Sequence, residues 1–352
     1  MHYVGIDFHK RTSSITQMDG RGKILNRCRL TNEPTTLRTF AEGLPAGSKL
    51  ALEATGNWTY FYELVEDLGL DITLAHPYRT RAIASARIKT DAIDATTLAH
   101  LLRTDLLPAA YIPPRAIRDQ RELLRYRCAL VSLRTRIKNA VHALLAKQGL
   151  EPPVTDVFGK AGCVWLRSLA LRPSARQALE GYLAVNEALV QQLSQVSQTI
   201  RSQATASPDA QRLMTLPGLS FFSALLILAE IGDIHRFPDA EHLCSYAGLV
   251  PSVHASGGTT RYGRLTKQGS KYLRWILVEL SHHAAQGSVR FGQLFARIKA
   301  KHGIPTANVA VARVMLRTIY HMLTDQTDFR DRPIPTNGRT GQRRRGLRHQ
   351  SA

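Results

Sequence analysis

The sequence predicts an α/β N-terminal domain, then a long helical, coiled-coil-like segment, then a mostly α-helical C-terminal domain. Three observations carry this. Residues 2–75 are rich in short apolar and β-branched runs separated by turn residues. Further on, Leu130, Leu133, Ile137, Val141 and Leu144, then Leu189, Leu193, Val196 and Ile200, recur at three- and four-residue spacing, as on amphipathic helices. Beyond Ala206, an apolar run of helical length follows the turn Leu216-Pro217-Gly218-Leu219.

Taken in order, the first strand is expected at His2–Asp7 and the second, alternating and β-branched, at 12–18. Asp19-Gly20 predicts a hairpin turn into a third strand over 23–30. Thr31, Asn32 and Pro34 announce a short helix to about Gly43. A buried strand is expected over 48–53, a helix over 57–68, a strand over 71–75 and a helix over 91–102. The order βββαβαβα describes a mixed sheet with helices, as in the ribonuclease-H-like fold. Asp7 then falls on the first, central strand and Glu53 on the fourth.

Pro108, Pro113 and Pro114 mark the end of this domain, placed at residues 1–110. Residues 111–205 form the helical region, interrupted at Pro152-Pro153 and between Gly159 and Gly162; an internal hairpin and a dimerisation arm both fit its narrow apolar stripe. Residues 206–328 form the C-terminal domain. There the turn at 216–219 and the helix to Ile231-Gly232-Asp233 look like a helix-hairpin-helix, whose helix-start amides can hold a DNA phosphate. The tail, 329–352, has seven arginines and one acid and is expected to be disordered.

The net charge is +20, with basic residues in excess along most of the chain. Such a field attracts polyanions and makes binding salt-dependent, so the expected partner is nucleic acid. Four cysteines, widely separated and with no CxxC pair, argue against zinc fingers and a disulfide framework and for reduced thiols in a cytosolic protein. No charged-then-apolar leader opens the chain, and the apolar run Phe221 to Leu228 is too short to span a bilayer, so no membrane role is expected.

Four acids are the candidate catalytic centre: Asp7, Glu53, Asp91 and Asp94. Two close apolar strands, and two share a helix face three residues apart. Singly, each has a structural reading as a helix cap, a dipole partner or a loop residue. Together, converging carboxylates repel unless cations lie between them, and hard oxygen ligands of this kind suit Mg²⁺ or Mn²⁺, which engage phosphate. Lys10, His76, Arg79 and Lys89 lie near the same points in sequence and can hold that phosphate.

A second candidate lies in the C-terminal domain. Ser256 precedes Gly257-Gly258, which suggests a hydroxyl exposed on a flexible loop; a plain turn serine is the alternative. Ser252, Thr259, Thr260, Tyr246 and Tyr262 are rival nucleophiles on chemistry alone. Arg261 follows, and Arg264, Lys267, Lys271 and Arg274 have spacings that would put them on one helix face as a phosphate clamp.

At this point the residues resemble a known family. GIDFHK at 5–10, LEATG at 52–56 and HPYRTRAIASARIKTDAIDATTLA at 76–99 are similar to the N-terminal half of IS110-type transposases. LPGLSFFSALLILAEIGD at 216–233, SYAGLVPSVHASGG at 245–258 and GRLTKQGSKYLRW at 263–275 are similar to their C-terminal domain. The likeness covers nearly the whole chain apart from the arginine tail. It implies a RuvC-like domain whose DEDD acids, here Asp7, Glu53, Asp91 and Asp94, bind Mg²⁺. It implies that Ser256 attacks the phosphodiester and leaves a covalent serine–DNA intermediate. It further implies a composite site between subunits of a dimer or tetramer, a noncoding guide RNA that pairs with target and donor DNA, and action at the bacterial nucleoid. Ala255, Gly258 and Thr259 depart from some relatives, which bears on the hydrogen bonds around the serine rather than on its identity. Two other functions fit the same residues: a RuvC-like junction nuclease that uses water, and a non-catalytic nucleic-acid-binding protein with vestigial acids.

Overall fold

The computed structural model describes residues 1–84, 90–256 and 259–331; for 254–256, 259, 260 and 262 it describes the backbone alone. The chain forms two compact units that meet in sequence at Pro113-Pro114.

The first unit contains β1 (Tyr3–Phe8), β2 (Thr12–Met18), β3 (Ile24–Thr31), α1 (Pro34–Glu42), β4 (Lys49–Glu53), α2 (Trp58–Val65), β5 (Asp71–Ala75), α3 (Pro77–Ile83) and α4 (Asp91–Arg103). The strands form one sheet in the order β3-β2-β1-β4-β5, with β1 in the middle. β1–β2 and β2–β3 are antiparallel, whereas β1–β4 and β4–β5 are parallel. Asp19 makes the first hairpin turn: its carboxylate accepts the Arg21 and Lys23 amides, each at 2.9 Å.

Strand alternation sorts the two faces. Val4, Ile6, Phe8, Leu50 and Leu52 share a core with Leu37 and Ala41 of α1 and Phe61 and Val65 of α2. Truncating a fully buried ring such as Phe61 to alanine costs about 3–5 kcal/mol. The opposite face carries Gly5, Asp7 and Ala51, and α4 covers it. A methyl group on Gly5 would overlap the Ala95 carbonyl oxygen and come within 2.6 Å of the Ala99 amide nitrogen. The missing side chain therefore lets α4 lie directly on the central strand. α3 was not foreseen in the sequence; Pro77 at its start and the short length hide it.

The second unit is largely helical: α5 (Arg115–Lys147), α6 (Lys160–Ser168), α7 (Pro173–Ala206), α8 (Pro208–Met214), α9 (Phe221–Ile231), α10 (Ala240–Tyr246), α11 (Lys271–Gly287) and α12 (Val289–Thr324). α12 is interrupted at Gly303, φ +80°, just before Pro305. A two-stranded hairpin of β6 (Pro251–Ser256) and β7 (Thr259–Leu265) lies between α10 and α11. α5 and α7 run antiparallel: Arg127 donates to Ser197 near one end, while Val141 and Leu145 share a core with Leu179 and Leu183 near the other. Leu124, Leu130, Leu193, Val196 and Ile200 from these two helices join the main core of α8–α12, so the helical segment and the C-terminal domain expected as separate bodies form one unit. Leu133, expected on the apolar stripe, is instead exposed. Residues 329–331, expected to begin a disordered tail, are packed. Phe329 stacks on Phe291, and the Asp331 carboxylate accepts the Ser288 hydroxyl at 2.9 Å and the Val289 and Arg290 amides at the start of α12. Residues 332–352 lie outside the described residues. Among the described residues no helix is long and apolar enough to cross a membrane.

Candidate metal and nucleic-acid site

Asp7 is the penultimate residue of β1, on the face that α4 covers. Register and alternation bring its neighbours. On one side it pairs with Ser14 of β2, which in turn pairs with Arg29 of β3. On the other side, Asp7 and Glu53 each follow the last parallel pair, Ile6↔Leu52, by one residue. Arg29, Ser14, Asp7 and Glu53 therefore form a row across four strands on one face of the sheet. The helix supplies the remaining acids. Ala95 and Ala99 lie on Gly5, so the start of α4, one turn earlier, lies over Asp7. Thr90 is the N-cap, its hydroxyl accepting the Ile93 amide at 3.3 Å, which leaves Asp91 and Asp94 in the first turn.

The tightest convergence is Asp7, His9 and Asp91. One ligand atom from each lies within 4.8 Å of the others, and among the described residues no other group of three His, Cys, Asp or Glu side chains meets this closely. His9 Nε2 is 3.0 Å from Asp7 Oδ2 and 3.3 Å from Asp91 Oδ1. Asp94 and Glu53 stand outside this triad. Burial pushes the Asp7 carboxyl above the ordinary carboxylate range; His9 pulls it back, and Asp91 and Asp94 push it further up. Two like charges about 4 Å apart repel by roughly 4 kcal/mol at an effective dielectric constant of about 20. A hydrogen bond to a charged group returns about 1.5–3 kcal/mol. Burial is the largest cause and His9 offsets it only in part, so the carboxyl stays raised; a bound divalent cation would relieve both the burial and the repulsion. The donor set, mainly hard carboxylate oxygens at a sheet edge, fits such an ion.

Of this triad, the sequence reading named Asp7 and Asp91 and missed His9. The available signal was its position two residues beyond Asp7, which on an extended chain returns to the same face. Ser14, Arg27 and Arg29 were also missed, because only strand pairing brings them to this edge. Together with Ile15, Cys28, Thr90, Asp91 and Ala92 they line a cleft of about 570 Å³ beside the acids.

The proposed phosphate-holding residues are scattered. Lys10 lines a separate cleft with Phe8, Asn32, Asn57 and Tyr60. Arg79 is exposed on α3, and Lys89 lies outside the described residues. The expected stripe of Arg264, Lys267, Lys271 and Arg274 on one helix is not formed. Arg264 is on β7, Lys267 is in the following turn at φ +51°, and only Lys271 and Arg274 are on α11. Gly269 causes the break, since its φ of +85° belongs to a turn rather than a helix. Arg274 is partly withdrawn from water and donates to the Ala247 carbonyl at 3.0 Å, a packing role; burial depresses its guanidinium pKa. Arg261 is exposed on β7. Ser256 ends β6 and pairs with Thr259 across the hairpin, so it lies at a strand end rather than in a loop. Tyr246, a rival nucleophile, is engaged: its hydroxyl donates to the Glu230 carbonyl at 3.2 Å.

Comparison with known proteins follows the same geography. Residues 4–148 match the DEDD transposase family model of IS110 elements, and residues 210–296 match the family model described as Transposase IS116/IS110/IS902 family. The chain is 26% identical to a probable family 20 transposase of Pseudomonas aeruginosa over 93% of this chain and 98% of that one. It is 23% identical to the transposase for insertion sequence element IS1111A of Coxiella burnetii, over 93% and 91%. It is 26% identical to the transposase for insertion sequence element IS1328 of Yersinia enterocolitica, over 93% and 98%.

Proposed function

This chain belongs to the IS110 family of transposases, enzymes of insertion elements that act on DNA, and from that premise we propose that it cuts and rejoins strands through Ser256 with the help of a divalent cation held at the β1 edge. The observation that carries the cation reading is the convergence of Asp7, His9 and Asp91, with Asp7 buried among further acids. Asp7, Glu53, Asp91 and Asp94 would hold the ion, Mg²⁺ or Mn²⁺. When bound, it would draw charge from a phosphodiester oxygen.

The protein's own groups do the rest. Arg27 and Arg29, exposed along the cleft beside Asp91, hold the sugar–phosphate backbone so that a scissile phosphate reaches the acids. Buried Asp7 fixes the geometry of the edge because its strand is tied on both sides. The Ser256 hydroxyl attacks phosphorus: a serine O–P bond forms, the P–O bond to one deoxyribose breaks, and the hydroxyl proton ends on the leaving oxygen. Attack of a second strand's hydroxyl on the serine ester reverses this step, so bond energy is conserved and no ATP is needed. A RuvC-like fold for the first unit, a guide RNA paired to both DNAs, and a dimer or tetramer that brings Ser256 of one copy to the acids of another complete the proposal.

The test is a trapping experiment. The protein is incubated with element ends, element-flanking RNA and Mg²⁺, then denatured. A DNA-linked band that is lost in Ser256→Ala and in Asp7→Asn is expected. Cleavage that persists in Ser256→Ala without an adduct would replace the serine with water.

A further inference from the structure

Resting on the reading of the β1 edge as a divalent-cation site, we infer that His9 is itself a ligand, so that the ion is held by an imidazole nitrogen as well as carboxylate oxygens and the site favours Mn²⁺ over Mg²⁺. Three observations lead there.

The first is spacing. Nε2 of His9 stands 3.0 Å from Asp7 Oδ2 and 3.3 Å from Asp91 Oδ1. Adjacent ligands on an octahedral ion bound at about 2.1 Å are separated by about 3 Å. Both separations from Nε2 are close to that value, and all three ligand atoms lie within 4.8 Å of one another.

The second is proton count. A single ring nitrogen faces two carboxylates from two different elements. An imidazole nitrogen carries at most one proton, so it can donate well to one of them and leaves the other in a like-charged corner. A cation among the three satisfies all of them at once, with Nε2 as a lone-pair donor.

The third is anchoring. His9 is beyond the end of β1, where a side chain would ordinarily wander, yet its backbone is held at both polar atoms. Its amide donates to the Thr12 carbonyl at 3.2 Å, and its carbonyl accepts from Asn32 Nδ2 at 2.6 Å. Asn32 is held in turn by the buried Ser13 hydroxyl at 2.6 Å and donates its own amide to the Arg11 carbonyl. The turn is built to present residue 9 to the acids.

Mixed nitrogen and oxygen donors distinguish between ions. Mg²⁺ prefers oxygen and water, whereas Mn²⁺ accepts imidazole beside carboxylate with less loss. The deciding measurement is pulsed electron paramagnetic resonance of Mn²⁺ bound to the full-length protein, which detects ¹⁴N modulation from a directly ligated imidazole. Mn²⁺ and Mg²⁺ affinities by calorimetry accompany it, all without DNA. Wild type is expected to show the ¹⁴N signal, lost in both Asp7→Asn and His9→Gln. In His9→Gln the Mn²⁺ affinity should fall about tenfold, and the Mg²⁺ affinity by less. His9 is half exposed, so this variant is expected to fold; the wild-type and Asp7→Asn spectra decide the matter without it. Mn²⁺ bound at the site and released by Asp7→Asn but showing no ¹⁴N signal would overturn the histidine ligand and leave the carboxylate site standing. Mn²⁺ binding indifferent to both Asp7→Asn and Asp91→Asn would overturn the cation reading and this inference together.

Discussion

Asp7 in the first unit and Glu230 in the second are carboxylates withdrawn from water, at 5% and 1% exposure. Glu230 is answered on every side. Arg125 donates to it at 2.8, 3.0 and 3.1 Å, and the Ser270 hydroxyl donates at 2.8 Å. Its backbone carbonyl receives Arg121 and Tyr246. These bonds tie α5, α9 and the N-cap of α11 together, and Ser270 caps α11 through the Leu273 amide. Asp7 has one histidine and further acids. A buried charge that is fully paired stabilises its surroundings against loss of either partner, whereas one left among like charges is a standing cost that a bound cation removes. The contrast separates a carboxylate tied into the packing of three helices from the one to which we assign a bound cation.

The contrast breaks most clearly by removing charge from each centre. Arg125→Met leaves Glu230 buried and unpaired and should cost about 3–5 kcal/mol in urea unfolding. Asp7→Asn should leave the thermal midpoint measured in chelator unchanged or raised, and with Mg²⁺ present should reduce DNA strand cleavage by at least about 100-fold. A midpoint several degrees lower for Asp7→Asn would mean that Asp7 is a structural residue after all.

Gly5→Ala sharpens the point at the next level of effect. The added methyl would drive α4 off β1, so stability should fall by about 1–3 kcal/mol and Mn²⁺ binding should fall with it, although no ligand is changed. Unaltered Mn²⁺ affinity in a folded Gly5→Ala protein would show that α4 does not position Asp91.

Smaller still are the surface effects. Arg27→Ala and Arg29→Ala should each weaken nucleic-acid binding across all sequences and reduce the salt slope by about 1. No change in slope for either would move the backbone path away from this cleft. Last, Asp331 is a paired carboxylate like Glu230, but near the surface. Burial alone would raise its pKa, yet the Ser288 hydroxyl and the Val289 and Arg290 amides lower it overall. A carboxyl depressed in the folded state stabilises above its unfolded pKa of about 4 and loses that contribution as pH falls through the folded value. Asp331→Asn should therefore flatten the acid side of the stability profile below about pH 4 and lower the midpoint slightly at neutral pH.

How much was legible in the sequence differs between the units for the same reason. In the first unit, strand and helix signals are local, since β-branched alternation, Asp19-Gly20 and the Thr90 cap act within a few residues. The order of elements and the positions of Asp7 and Glu53 at strand ends follow from them. In the second, Arg264 to Arg274 carry helical spacing, yet Gly248 and Gly269 impose tight turns there. A methyl group on Gly248 would come within 2.8 Å of Arg274, and one on Gly269 would overlap the Tyr246 carbonyl. Backbone packing thus overrode a charge pattern, and the hairpin that carries Ser256 replaced the expected loop.

The amino-acid sequence by itself determined which carboxylates end strands, where the chain turns, how basic the protein is and which family motifs it carries, because each depends on neighbours in the chain. Only the tertiary structure decided that His9 meets Asp7 and Asp91, that Ser14 and Arg29 share their row, and that Glu230 meets an arginine and a serine while Asp7 has a single histidine among acids. These are contacts between residues far apart in sequence or around a turn, and they exist because sheet register and the bare backbone of Gly5 bring their atoms to within a few ångströms.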